Sequence, residues 1–406
     1  MSFSAVDIAP RAPEAAAALR PDRHTALALA AAALVMGLGQ TTLFTFLPLL
    51  MAHTGLSLAR ITAAFAIGSG LFLIGAPLWS RLSDFLGRRS VVAIALGGFA
   101  LSHALLLWQM GQGADWQGQG AMLMLGRVIY GLTVSGLVPT CQAWLADLSS
   151  AEQRLGVLSR LSASLTLGRL LGPALAACSL WLDPLGPLWL MALAAWPALL
   201  LLPFTRQAAR QGKAAVRERL GWQGMAAWLA LAGLMQLALG QVQYALGPLL
   251  GSRFGLSASA ASATLGWLLT ACALVVLVLQ LWLVPRCRAG RPLLLAGGLA
   301  LLASGVLLAL PGPLSLIWIG FLLLGVAAAL LVPTYTTLAS LAVGGAGQAR
   351  VAGVLAAAHT VGFSLAAALA GWLFGLWPAA PFWLAGLAGL AVIVLACLLR
   401  LPARAD

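Results

Sequence analysis

Arg127 and Arg169 are the residues of this 406-residue chain whose setting most invites chemistry. Each interrupts a long apolar run: Leu125-Gly126-Arg127-Val128-Ile129-Tyr130-Gly131 and Gly168-Arg169-Leu170-Leu171-Gly172-Pro173. No Asp or Glu falls well inside such a run. Asp84, Asp147 and Glu152 stand at run ends on one side, Asp115 and Asp183 on the other. Two cations without a carboxylate suit an anion or zwitterion, and the guanidinium fork matches a carboxylate in two parallel hydrogen bonds. At about 1.5 Å per helical residue, Arg127 lies roughly 12 Å and Arg169 roughly 16 Å from the same end of their runs, so the two can meet at one depth. A pocket for lipophilic cations would carry an acidic residue instead. The alternative for either arginine is an interhelical hydrogen bond that locks the bundle.

Other chemistry is sparse. His103 and His359 are the titratable residues within apolar runs, and histidine changes charge near neutral pH. Gln40, Phe44 and Pro48 share one helical face, and Gln236, Gly240, Gln243 and Tyr244 another; amides at lipid depth want partners, so these faces are expected to point inward. Tyr335, just after Pro333, is a further candidate. The five cysteines (Cys141, Cys178, Cys272, Cys287 and Cys397) have neither metal nor redox spacing and read as small packing residues. There is no nucleophile–base set, acid pair, metal cluster or Gly-x-x-x-x-Gly-Lys-Ser/Thr loop, so neither an enzyme nor an ATP-driven pump is expected, and neither metal nor cofactor.

These residues need elements to hold them, and composition says which. The chain is 62% hydrophobic and 8% charged, with a mean hydropathy of +0.99. That much apolar surface must face lipid. A crossing takes roughly 20 apolar residues, and backbone polar groups in hydrocarbon must pair within the segment, so the runs are helices. The spans read as 25–51, 58–82, 89–111, 119–146, 156–180, 187–204, 222–248, 259–285, 292–311, 314–341, 351–376 and 381–400. The expected fold is an all-α membrane protein of twelve transmembrane helices. Residues 1–24 are polar and lack a signal-like apolar core, so they read as a tail.

The net charge of +13 would suit nucleic acid, but its placement argues against that partner. With a cytoplasmic N-terminus, nineteen Lys and Arg fall in inside loops and tails, against Arg60 and Arg253 outside. The positive-inside rule then places both termini in the cytoplasm and the chain in the inner membrane.

An internal repeat divides the chain. Gly39-Gln40 and Pro48-Leu49-Leu50 recur as Gly240-Gln241 and Pro248-Leu249-Leu250; Leu78-Trp79 and Gly87-Arg88 as Leu281-Trp282 and Gly290-Arg291; Val138-Pro139-Thr140 as Val332-Pro333-Thr334. Order and near-constant separation mark a duplication. Six spans per repeat give both halves one orientation, as expected for two bundles rocking around a central cavity. The domains are then a tail 1–24, a six-helix bundle 25–204, a basic cytoplasmic linker 205–221, a six-helix bundle 222–400 and a tail 401–406.

Three segments carry a family resemblance. Ser80-Arg81-Leu82-Ser83-Asp84-Phe85-Leu86-Gly87-Arg88-Arg89 resembles the signature loop of the major facilitator superfamily, with Ser80 for its first Gly and Phe85 for an Arg. The resemblance implies a latch between halves on the cytoplasmic side, made by Asp84, Gly87, Arg88 and Arg89 with Asp147 as an added partner; the alternative is that the arginines only fix orientation. Arg127-x-x-x-Gly131 resembles the family's fourth-helix motif. Gly168, Gly172 and Pro173 resemble its antiporter motif, with Ala176 and Ala177 replacing the last two glycines. The implied function is proton-coupled export of a small organic molecule, drug or metabolite, by a monomer using alternating access. The proton candidates are His359 and Asp84. The substrate site is expected at Arg127, Arg169, Gln40, Phe44, Gln236, Gln243, Tyr244 and Tyr335. The arginines raise the alternative of an anionic metabolite such as a carboxylate siderophore, and a receptor on the same fold is the alternative of another class.

Overall fold

The computed structural model describes residues 21–206, 225–343 and 348–399. Residues 1–20 and 400–406 and nearly all of the 205–221 linker lie outside them, and the last two residues of the expected 1–24 tail, Arg23 and His24, already belong to the first helix. Regular structure among the described residues is helical: α1 Arg23–Thr54, α2 Leu58–Leu86, α3 Arg88–Met110, α4 Gln119–Val134, α5 Leu137–Asp147, α6 Ala151–Ser179, α7 Gly186–Leu201, α8 Ala226–Phe254, α9 Ala258–Val278, α10 Arg291–Ala309, α11 Leu314–Val343, α12 Gln348–Leu376 and α13 Ala380–Leu398. With α4 and α5 taken as one, these supply twelve helices long and apolar enough to cross a membrane. Large apolar side chains such as Ile74, Leu182 and Leu398 stand exposed on the outside, as a lipid solvent allows.

Local chemistry sets the ends. Asp22 Oδ1 accepts from Thr25 N–H at 3.3 Å and starts α1. The α1–α2 and α8–α9 turns are copies of each other. Gly55 (φ 65°) and Gly255 (φ 66°) end α1 and α8 in the left-handed region, each N–H closing on the carbonyl four residues back at 3.0 Å. Ser57 and Ser257 then cap α2 and α9. Most spans shift by a few residues at their ends, and two are not continuous α-helix. The fourth breaks between α4 and α5 because Pro139 has no N–H for the carbonyl of Ser135, and the Trp79 indole packs against Gly136 and donates to the Leu132 carbonyl. The eighth ends in a π-turn, Leu279–Leu283, and a tighter turn, Val284–Arg286, around Pro285.

Packing repeats between the halves. In the first, α1 lies on α6; in the second, α8 lies on α12. Both seams are glycine-lined. A Cβ on Gly168 would stand 2.1 Å from the Leu34 carbonyl oxygen, and one on Gly362 would stand 2.3 Å from that of Gly233. Across the halves, α2 meets α12 and α6 meets α9. The closest approaches are Gly371 against Ala59 and Thr62, Ser364 Oγ to Ser69 Oγ at 2.9 Å, Gly266 against Pro173, Ala177 and Thr45, and Gly247 against Pro48. All lie in the helix halves remote from the face where α1 begins, here called the N-terminal face.

Candidate functional site

Six helices surround a cavity of about 380 Å3: α1 from Met36 to Phe44, α2 from Phe65 to Phe72, α4 at Arg127 and Tyr130, α6 at Arg169, α8 from Gln236 to Tyr244, and α12 from His359 to Phe363. Phe44, Phe65 and Tyr244 close its floor, with Phe44 and Phe65 edge-on to Tyr244 at centroid distances of 5.1 and 5.8 Å. The Ser69–Ser364 contact is at the level of the cavity wall, and the other close cross-half approaches lie beneath this floor, so the cavity opens toward the N-terminal face.

Arg169 is held where a ligand could reach it. The seam places its backbone beside α1, where the Thr41 hydroxyl donates to its carbonyl at 3.1 Å. Its Nε donates to Gln40 Oε1 at 2.7 Å. The two Nη nitrogens make no hydrogen bond among the described residues, and the side chain is exposed to the cavity. Arg127 is different. It is 3% exposed, its guanidinium lies over the rings of Phe65 and Tyr130 at 5.2 and 5.0 Å, and its Nε and Nη2 are buried without partners. A buried cation is costly, and ring faces recover only part of that cost. Among the described residues, those lining the cavity include no carboxylate.

Of the residues expected from sequence, Gln40, Phe44, Arg127, Arg169, Gln236, Gln243 and Tyr244 all line this cavity. Tyr335 does not. It is fully buried behind His359, its hydroxyl 2.6 Å from His359 Nε2, and His359 itself faces the cavity. Pro48 and Gly240 pack inside helix interfaces. On the face of Arg127, Tyr130 reaches the cavity, whereas Gly131 meets the Gly68 backbone and Ser135 meets Gly75. His103 is buried behind Tyr130, Nδ1 2.8 Å from the Phe99 carbonyl. Sequence reading missed Phe65, Ser69 and Phe72, although their i, i+4, i+7 spacing is a helical face. It also missed Thr41, Thr360 and Phe363.

The signature loop is tied down within the first half. Gly87, at φ 88°, makes the turn. Arg88 pairs with Asp84 at 2.9 Å and Asp147 at 3.1 Å and donates to Ser83 Oγ. Arg89 donates to the Thr205 hydroxyl at 3.2 Å and to the Thr205 carbonyl. In the antiporter-like segment, Gly168 and Gly172 face α1, and the Pro173 carbonyl faces Gly266 of α9. That segment is therefore both the α1–α6 seam and part of the closure between halves.

The family model of the Major Facilitator Superfamily matches residues 29–283. The triacylglyceride transporter of Mycolicibacterium smegmatis is 29% identical over 167 residues, which cover 40% of this chain and 28% of that protein. The chain thus spans less than a third of the length of this relative. Among solved structures, a D-xylose-proton symporter superposes with a TM-score of 0.72 at 17% identity, covering 92% of this chain and 96% of that one. The human organic anion transporter superposes with a TM-score of 0.63 at 21% identity, covering 92% and 99%. At these identities the likeness speaks for the fold alone.

Proposed function

The chain belongs to the Major Facilitator Superfamily, and on that premise we propose that it is a secondary transporter, not an enzyme, that exports a small organic anion by alternating access coupled to protons. The observation that carries the anion is Arg169: an exposed guanidinium fork, steadied by Gln40, in a cavity with a second arginine and, among the described residues, no carboxylate. A multidrug exporter for lipophilic cations would place its substrate against two like charges. The relative's name concerns a neutral lipid; the charged wall here favours a substrate bearing negative charge. Export follows the resemblance of Gly168, Gly172 and Pro173 to the antiporter motif. His359, hydrogen-bonded to Tyr335 and facing the cavity, is the proton site. The excess of arginine on one side puts the N-terminal face in the cytoplasm, so the cavity is open inward. Asp84, Arg88 and Arg89 then re-pair across the halves when that side closes.

Inverted membrane vesicles with an imposed proton gradient test this. Organic anions are expected to dissipate the gradient, and Arg169→Ala to abolish the response. Dissipation by lipophilic cations, unchanged in Arg169→Ala, would overturn the reading.

A further inference from the structure

The proposed anion reading names a charge and not a molecule, but the cavity wall narrows the choice. Of the two arginines, only one offers a free binding edge. Arg127 is sunk between Phe65 and Tyr130. It lends positive potential without an exposed fork. Arg169 has spent Nε on Gln40, leaving the end-on Nη pair. One fork takes one carboxylate. The rest of the wall is aromatic and amide. Phe72 and Tyr130 from the first half, with ring centroids 5.6 Å apart, and Phe363 from the second are partly exposed to the cavity. Gln236 and Gln243 line it too, make no hydrogen bond among the described residues, and so remain free for a polar group on a ligand. The volume, about 380 Å3, is in the lower part of the range typical of drug-sized ligands.

We infer that the substrate is an aryl monocarboxylate, its carboxylate on Arg169, its ring system among Phe72, Tyr130 and Phe363, and a hydroxyl or carbonyl substituent toward Gln236 and Gln243. This deepens the anion reading and rests on it. Aromatic cations are disfavoured twice, by the two arginines and because Arg127 already occupies faces of Phe65 and Tyr130. Polycarboxylates of the siderophore kind are disfavoured because their further carboxylates would find rings and amides in place of cations.

The test is equilibrium binding to the full chain in lipid nanodiscs, with four probes: 6-hydroxy-2-naphthoate, its saturated analogue 6-hydroxydecahydro-2-naphthoate, citrate, and 2-naphthylmethylamine. The naphthoate is expected to bind about tenfold more tightly than the saturated acid, the scale of two added aromatic contacts. Citrate and the amine are expected to bind more weakly than either. Phe363→Leu and Phe72→Leu should weaken the naphthoate more than the saturated acid and so erase the preference between them, and Arg169→Gln should weaken both acids. Equal binding of naphthoate and saturated acid, or tighter binding of citrate, with loss in Arg169→Gln, would overturn the aryl inference and leave the anion reading standing. Preferential binding of the amine, or no binding of any acid, would overturn both. If Arg169→Gln does not fold, the two Phe variants and the probe ranking still decide.

Discussion

At the scale of single residues, the two arginines do different work although they look alike in sequence. Arg169 has a neutral partner that orients it and an open edge; Arg127 has ring faces and two unpartnered buried nitrogens. Placing an arginine at mid-membrane depth costs roughly 2.5–3.5 kcal/mol on insertion scales, and cation–π contacts return about 0.5–2 kcal/mol. Arg127→Met keeps the length and removes the charge, so melting temperature should hold or rise while anion affinity falls tenfold or more. A large drop in melting temperature with affinity intact would make Arg127 a structural clamp. His359 yields a second prediction. Its Nε2 is satisfied by Tyr335, and its cavity face shares a wall with Arg169. His359→Gln keeps a polar side chain for Tyr335 but cannot carry a proton. Exchange of labelled for unlabelled substrate should persist in proteoliposomes, while accumulation driven by a proton gradient disappears; gradient-driven accumulation at the wild-type rate would remove His359 from coupling.

At the scale of elements, glycine sets how close the helices come. A Cβ on Gly168 would enter the carbonyl of Leu34, and one on Gly37 would sit 2.0 Å from that of Leu165. Backbone cannot yield as a side chain does, so Gly168→Val should cost more than the usual overpacking penalty of about 1–3 kcal/mol and appear as lost folded protein in detergent. Gly97 in α3 has open space where its Cβ would be, and Gly97→Ala should stabilise by about 0.5–1 kcal/mol. Equal effects in thermal unfolding would refute the seam. The spans were legible because lipid demands long apolar helices, and the turn at Gly55-Leu56-Ser57 recurs at Gly255-Leu256-Ser257. The break at Pro139 was not anticipated, because that proline read as a repeat marker and its missing donor matters only where Trp79 and Gly136 meet. Cavity membership was legible for helix faces carrying amides. It was not for Phe65, Phe72 and Phe363, since an apolar ring in an apolar span looks the same toward lipid, core or cavity. Tyr335 fell one layer back because His359 stands in front of it.

At the scale of the whole molecule, the conformation is decided by where the halves touch. The contacts of α2 with α12 around Gly371 and of α6 with α9 around Gly266 lie below the aromatic floor, while the signature loop spends its charges inside the first half. Closure on the far side leaves the cavity facing the N-terminal face. A wedge in that closure should reverse it. Gly371 is the point of least clearance: a Cβ there would lie 2.4 Å from Thr62 Oγ1 and 2.5 Å from Ala59 Cα, so Gly371→Leu forces α12 from α2 without touching the cavity lining. In a background with the five native cysteines replaced, Gln243→Cys provides a reporter on the cavity wall. An impermeant maleimide should label the reporter in inside-out vesicles and spare it in right-side-out vesicles. Adding Gly371→Leu should invert that pattern, because the closed side can no longer seal and the other conformation, with Asp84 and Arg88 freed to meet the second half, takes up the population. Unchanged sidedness in the folded variant would mean that these contacts do not gate the cavity, and closure would have to be sought at the α6–α9 crossing instead.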